Sequence, residues 1–252
     1  MRVAFRIYVP RSRGIKIYDR MDWCRDSGET SYSQSGQDFF VLNCVFPGKR
    51  DGVFVDVGAN HPVNWNNSYL LERSGWSGLA IEPQDSLNEL WPDARETKCL
   101  NCVIGSENGS VEFVEATEEQ HGLSGVAGYN KVAAARTTIV KQQRRLDDLL
   151  MEHGIKEVDV LFIDVEGYEM HVLSGIDFSK IRAKCIVVEN DRGLEGVPYI
   201  GHLISRRLGS NTIRRYLKGR NYRQVARIYA DDVFVLRPRS PSLEPVRRQL
   251  PV

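Results

Sequence analysis

Apolar and polar positions fall in blocks along the chain, and the blocks read alternately as helices and strands. Residues 31–46, SYSQSGQDFFVLNCVF, are polar and then apolar at helical spacing, with Ser33 or Ser35 placed to cap a helix. The turn cluster Pro47-Gly48-Lys49-Arg50-Asp51-Gly52 separates them from 53–57, a β-branched run suited to a buried parallel strand. The pattern then predicts a helix over 67–74, a strand over 78–82, a helix over 84–90, a third strand over 98–104 and an exposed strand over 110–115. Residues 116–140 contain Gly122, Gly125 and Gly128 without a firm period, and are expected to form a mobile loop on the substrate side. An amphipathic helix over 145–153 leads to a fourth strand over 158–164, a helix beginning at 169 and a fifth strand over 183–189. Helical segments near 199–208 and 211–218 precede two antiparallel strands over 222–228 and 232–236. Strand–helix alternation of this kind predicts a parallel sheet covered by helices on both faces.

These elements divide the chain into an arm (1–30), a catalytic-size domain (31–238) and a Pro-rich tail (239–252) with Pro241, Pro245 and Pro251. The 252 residues suit one large α/β domain, given roughly 150 residues per domain as a prior. Hydrophobic residues at 42% can build a core, and 34 Lys+Arg against 33 Asp+Glu leave a net charge of +1, which argues against a nucleic-acid partner. No apolar run approaches the ~20 residues of a membrane helix, so no integral membrane segment is expected. The arginine-interrupted N-terminus is not expected to be a signal peptide, and five cysteines, an odd count, lead to the expectation of a reduced cytoplasmic setting. Cys99 and Cys102 have C-x-x-C spacing inside an apolar run and are expected as buried thiols.

In parallel sheets ligands bind beyond the carboxyl ends of the strands, so chemistry is sought there. The first strand ends in Asp56-Val57-Gly58-Ala59-Asn60. The glycine permits close backbone approach to a ligand, but the loop lacks the spacing of a dinucleotide fingerprint or a phosphate-cradling loop, which argues against an NAD enzyme. The second strand ends in Glu82-Pro83, roughly 20 residues on, where an acid can accept both ribose hydroxyls or merely cap the next helix. The fourth ends in Asp164-Val165-Glu166-Gly167 and the fifth in Glu189-Asn190. Asp164, Glu166 and Glu189 are candidates for a divalent-cation site, though strand-end carboxylates are common without metal and no cation is predicted. His61 is a candidate base, and His121 has a weaker claim. No G-x-S-x-G elbow supports a hydrolase. The basic stretch Arg206, Arg207, Arg214, Arg215, Lys218, Arg220, Arg223 and Arg227 reads mostly as solvated helix surface, with a patch for an anionic substrate or carrier as the alternative.

Taken in order, SQSGQDFF, FVDVGANHPVNWNNSYLLERSGWSGLAIEP, LFIDVEGYEMHVLSGI and VVEN resemble the FkbM-type S-adenosylmethionine-dependent methyltransferases, from about Ser33 to Leu236. The resemblance implies a class I methyltransferase, Rossmann-like sheet of seven strands, mostly parallel with the last antiparallel. It implies S-adenosylmethionine as donor and O-methylation of a hydroxyl on a sugar, glycan or secondary metabolite. By position, Asp56, Gly58, Ala59 and Asn60 would surround the methionine part, and Glu82, with Pro83, would hold the ribose. Asn101, Cys102 and Val103 would flank the adenine, and Asp164 would lie nearest the reacting methyl. Gln37 and Asp38, with Asn67 and Ser68, would close the site from above. Where many relatives read Ser-Asn-Thr-Tyr, this chain reads Asn66-Asn67-Ser68-Tyr69, leaving two asparagines for one position. For removal of the acceptor proton Asp164 is the first choice and His61 the second; a cation is an alternative route. A module that binds the cofactor without turnover is the alternative function.

Overall fold

The computed structural model describes residues 16–18, 31–116, 124–129, 137–190 and 211–238. Twelve strands among them form two sheets. In the larger sheet, β1 (Lys16–Tyr18), β2 (Val53–Val57), β3 (Ser77–Ile81), β4 (Lys98–Leu100), β9 (Glu157–Ile163), β10 (Arg182–Glu189), β11 (Tyr222–Ile228) and β12 (Asp231–Leu236) lie in the order β1-β11-β12-β10-β9-β2-β3-β4. All run parallel except β12, which is antiparallel to both β10 and β11. The sheet therefore has eight strands rather than seven, because Lys16–Tyr18, within the expected arm, pairs with β11. The sequence runs outward from β2 through β3 to β4, then returns to β9 and β10 on the other side. The strand order thus reverses between β2 and β9, where an open α/β sheet forms its ligand crevice.

Alternation of side chains assigns the two faces. Val55 and Val57 of β2 join Leu161 and Ile163 of β9 against α5 (Leu146–Glu152) and α6 (Glu169–Ser174). In α5 it is Leu146, Leu149 and Leu150, at helical spacing, that turn inward. Phe54, Val160 and Phe162 point the other way, against Phe39 and Phe40 of α1 (Gln37–Phe40) and Leu71 of α2 (Tyr69–Arg73). Each such side chain, once buried, contributes about 1.5–3 kcal/mol. The expected 31–46 helix is shorter than its pattern: α1 passes into a π-helical turn over Val41–Val45. The remaining helices among the described residues are α3 (Asp85–Asn88), α4 (Trp91–Ala94) and α7 (Asn211–Lys218).

The third predicted strand is two. Lys98–Leu100 pairs with β3, the Cys102 N–H then bonds the Leu100 carbonyl at 3.2 Å, and that turn sends Val103–Ile104 (β5) into a second sheet. This sheet has the order β5-β8-β6-β7, with β6 at Gly109–Glu115, β7 at Gly125–Val126 and β8 at Thr137–Arg144. Two parts of the expected mobile loop are therefore strands: 125–126 pairs with Phe113 and Val114, and 137–140 with residues 112–115. The missing period has a physical cause, since this small sheet buries only a modest core of Val103, Phe113, Val126 and Tyr168. His121 and the predicted 199–208 helix lie outside the described residues.

Candidate active site

The strand reversal opens a cleft enclosing about 700 Å³, mouth included. Its floor comes from the ends of β2, β3 and β9, and its second wall from the smaller sheet, through Val103, Ile104, Phe113, Ser124, Gly125 and Val126. Of the residues singled out from sequence, Gly58, Asn60, Asn67, Glu82, Pro83, Cys102, Val103, Asp164 and Glu166 line it.

Gly58, just past β2, lies against the backbone that follows β9. The Asp164 N–H bonds the Val57 carbonyl at 3.0 Å, and a Cβ on Gly58 would sit 1.8 Å from the Asp164 carbonyl oxygen. With φ at 80° as well, only glycine serves here. The Gly58 and Ala59 N–H groups bond the Ile81 carbonyl, tying the loop to the end of β3.

Glu82 is held by the chain itself. Its Oε2 accepts the Asn60 N–H and its Oε1 the Gln84 N–H, both at 2.8 Å. Burial pushes its carboxyl up to about 7; the Asp56 charge adds to this, and the two N–H bonds and Lys141 oppose it. Asp164 is raised well above the usual range by burial, then by the charges of Glu166, Asp231, Glu169 and Asp56. Glu189 is raised for the same kind of reason, burial first and then Asp164. Among the described residues, the lining has three carboxylates, Glu82, Asp164 and Glu166, and no Lys, Arg or His.

Other sequence candidates are placed elsewhere. Asp56 shares the face of Phe54, away from the cleft; it is fully buried, and burial lifts its carboxyl to about 6 against the opposing pull of Ser68 and Arg95. Ala59 packs on Ala80 and Trp91. Gln37 donates to Asp231 Oδ2 at 2.6 Å and accepts the Ser35 N–H, so it ties α1 to β12. Asp38 is buried among donors from Ser31, Tyr32 and Ser33. Asn101 is exposed and bonds Asp85 and Lys141. His61 does not line the cleft: its Nδ1 accepts the Val63 and Asn64 N–H groups at 3.0 Å, so that nitrogen builds a turn rather than taking a substrate proton. Glu189 also stands outside the lining, and no group of three or more His, Cys, Asp and Glu among the described residues is placed to hold a metal ion.

The two asparagines separate cleanly. Asn67 lines the cleft, whereas Asn66 is a buried hub. The Asn66 Nδ2 donates to the Ala59 and His61 carbonyls, and its Oδ1 accepts from Ser68, Tyr69 and Arg95. Ser68 belongs to this buried knot, not to the lining. Arg95, which no motif marked, also pairs with Glu72 at 2.6 Å and lies over the Trp91 ring. Sequence reasoning equally missed Trp65 and Tyr168, whereas 124–126 lies within the stretch expected on the substrate side and does line the cleft. Ser124 links the walls, donating to Gln84 Oε1 at 2.7 Å while accepting the Ala116 N–H.

The C-x-x-C thiols are not a reactive pair. Burial raises both; Cys102 reaches about 11, and Cys99, further raised by Glu82 and Asp56, accepts from the Asn88 amide. The basic stretch is partly structural, since Arg214 and Arg227 both bind Asp232; Arg206 and Arg207 lie outside the described residues. No helix among the described residues is long and apolar enough to cross a membrane.

Comparison with known proteins falls on this framework. A solved TehB-like SAM-dependent methyltransferase from Corynebacterium glutamicum is similar at 10% identity and a TM-score of 0.41, covering 85% of this chain and 92% of that one. No curated protein matches. The Methyltransferase FkbM domain matches residues 56–223, more than half of the chain and all of the strand ends that line the cleft. The chain belongs to the FkbM methyltransferase family.

Proposed function

We propose that the chain is an S-adenosylmethionine-dependent O-methyltransferase acting on a hydroxyl of a sugar, glycan or secondary metabolite. The observation that carries this reading is Glu82. Its carboxylate is fixed at the end of β3 by two backbone N–H groups and keeps lone pairs for a diol. The rest of the cleft fits the same cofactor. Cys102, Val103, Ile104, Phe113 and Val126 offer an apolar slot for a flat base, and Gly58 leaves room where a Cβ would strike backbone. Among the described residues, three acids and no cation line the cleft, which suits a positively charged donor. When bound, S-adenosylmethionine supplies an activated methyl carbon on a cationic sulfur. The residues then have to orient and deprotonate.

Positioning alone is worth up to about 7–11 kcal/mol of barrier. Asp164 is the base in this reading, since its raised pKa makes its carboxylate more basic than an ordinary one, and such a base contributes about 10²–10⁴-fold. Activity should therefore rise with pH as Asp164 loses its proton.

Calorimetry with S-adenosylmethionine tests the cofactor assignment. Binding by the wild type and its loss in Glu82→Ala are expected; no binding, or undiminished binding in the variant, overturns it. Mass spectrometry of extracts given labelled donor then separates the enzyme, which yields a methylated product, from a binding module, which yields none.

A further inference from the structure

The acids of the cleft have a counterpart at the other end of β2. A second hollow, enclosing about 1020 Å³ with its mouth, lies where the chain enters that strand. Its lining includes Lys49, Arg50 and Arg73, and no Asp or Glu. β2 runs from this end to the cleft over five residues, so about 16 Å of strand separates the two. Tyr32, Asn43 and Ser74 bring hydroxyl and amide groups to the same lining.

Backbone contacts, not acids, bring these cations together. The Lys49 N–H bonds the Phe46 carbonyl and the Trp76 indole donates to the Lys49 carbonyl, both at 3.1 Å. The Ser77 N–H bonds the Gly52 carbonyl at 3.0 Å. The 47–52 turn is thereby fastened to the turn after α2, the helix that ends in Arg73. A Cβ on Gly75 would lie 2.9 Å from the Arg50 carbonyl oxygen, and φ there is 92°, so this approach requires glycine. The Leu70, Leu71 and Glu72 carbonyls are taken by the N–H groups of Ser74, Gly75 and Trp76, which blunts the negative end of α2. On another side stands the π-helical turn, closed by the Phe46 N–H on the Val41 carbonyl at 2.9 Å and contributing Asn43. Such turns are rare and are found frequently at functional sites.

Positive charge is left over here. Lys49 is shared between Asp51 at 3.4 Å and Asp159 at 3.6 Å. Arg50 and Arg73 have no acidic partner among the described residues, whereas the neighbouring Arg95 is paired with Glu72. Two guanidinium forks beside an ammonium match the oxygens of a phosphate, and their combined charge exceeds what one carboxylate would balance. We propose that Arg50 and Arg73, with Lys49 beside them, form a binding site for a phosphate group, separate from the cleft. A soluble phosphate ester and the headgroup of an anionic phospholipid share that chemistry. The proposal goes beyond the methyltransferase reading and does not depend on it.

The experiment is calorimetry of the full chain with inorganic pyrophosphate at low salt, followed by flotation with phosphatidylglycerol vesicles. Pyrophosphate should bind the wild type, and about tenfold or more weakly in Arg50→Ala and in Arg73→Ala, as loss of a charge-assisted contact predicts. Arg73→Lys keeps the charge without the fork and should fall between. Arg215→Ala and Arg223→Ala, exposed arginines of α7 and β11, should bind like the wild type. S-adenosylhomocysteine should neither displace pyrophosphate nor bind differently in the Arg50 and Arg73 variants. Vesicle capture that requires Arg50 and Arg73 identifies a lipid headgroup as the source; pyrophosphate binding without capture identifies a soluble ester. No binding of either probe, an equal loss in Arg215→Ala, tighter binding of malonate than of pyrophosphate, or displacement by S-adenosylhomocysteine overturns the proposal. Wild-type protein that binds pyrophosphate but not S-adenosylmethionine would instead sink the methyltransferase reading and leave this site standing.

Discussion

Two sets of buried carboxylates lie near the carboxyl edge of the large sheet, and they are treated oppositely. Asp232 accepts from Arg227 at 2.8 Å, Arg214 at 2.9 Å, and the amides of Asn190 and Gln224, both at 2.7 Å. Every lone pair has a donor and the charge is balanced. Glu82 has only two backbone N–H groups, and Asp164 lies among other acids. The first arrangement holds β10, β11 and β12 together with α7. The second leaves acids with raised pKa values, short of cationic partners, in a cavity, an arrangement that costs stability when they ionise and is kept where a ligand completes it. Charge balance, more than burial, separates the structural acids from those that the proposed reaction uses.

The contrast can be broken at its hinge. Gly58→Ala drives a methyl group into the Asp164 carbonyl, so calorimetry should show cofactor binding weakened by about 100-fold or more, the 2.7 kcal/mol equivalent of a serious backbone shift. Asp232→Ala leaves the Arg227 guanidinium, 1% exposed, buried without its partner, and should cost about 3–5 kcal/mol in urea unfolding. Asp164→Asn should do the reverse: stability kept or raised because repulsion falls, and turnover reduced about 10²-fold or more. A near-full rate would remove Asp164 from the base role.

Smaller effects sharpen the comparison. Glu82 titrates at about 7, and only its ionised form accepts from two hydroxyls. Cofactor affinity should therefore weaken as pH falls below 7. Because its pKa is raised in the folded state, the unliganded protein should gain stability as pH falls from about 7 toward the ordinary glutamate range. Glu82→Gln should remove both slopes and cost about tenfold in affinity, as loss of one charge-assisted contact implies. His61→Ala should change turnover by less than about threefold while costing about 1 kcal/mol of stability through the two lost turn bonds. A large rate loss there would restore His61 as a chemical group.

Gly58, Glu82 and Asp164 were legible because each follows a continuous apolar run, and parallel strands packed between helix layers require such runs and place their ends on one edge. Asp56 shows the limit of the same rule. Its alternation with Val55 and Val57 puts it on the opposite face, but which face carries the cleft depends on where the helices and the second sheet settle. The 124–126 segment was expected on the substrate side, but its strand was illegible for another reason: a two-residue strand has no measurable period, and its register comes from its partner β6.

Local pattern thus sufficed for the parallel strands, the reversal loop with its glycine and the acids at the strand tips, since these follow from burial along a few consecutive residues. Assignment between look-alikes was left to packing at long range. Asn66 became a hub and Asn67 a lining residue, and Asp232 found two arginines while Asp164 lies among other acids. In each case the deciding contacts mix a local loop conformation with a partner from elsewhere in the chain, Arg95 for Asn66 and Arg214 and Asn190 for Asp232, and neither periodicity nor composition encodes that combination.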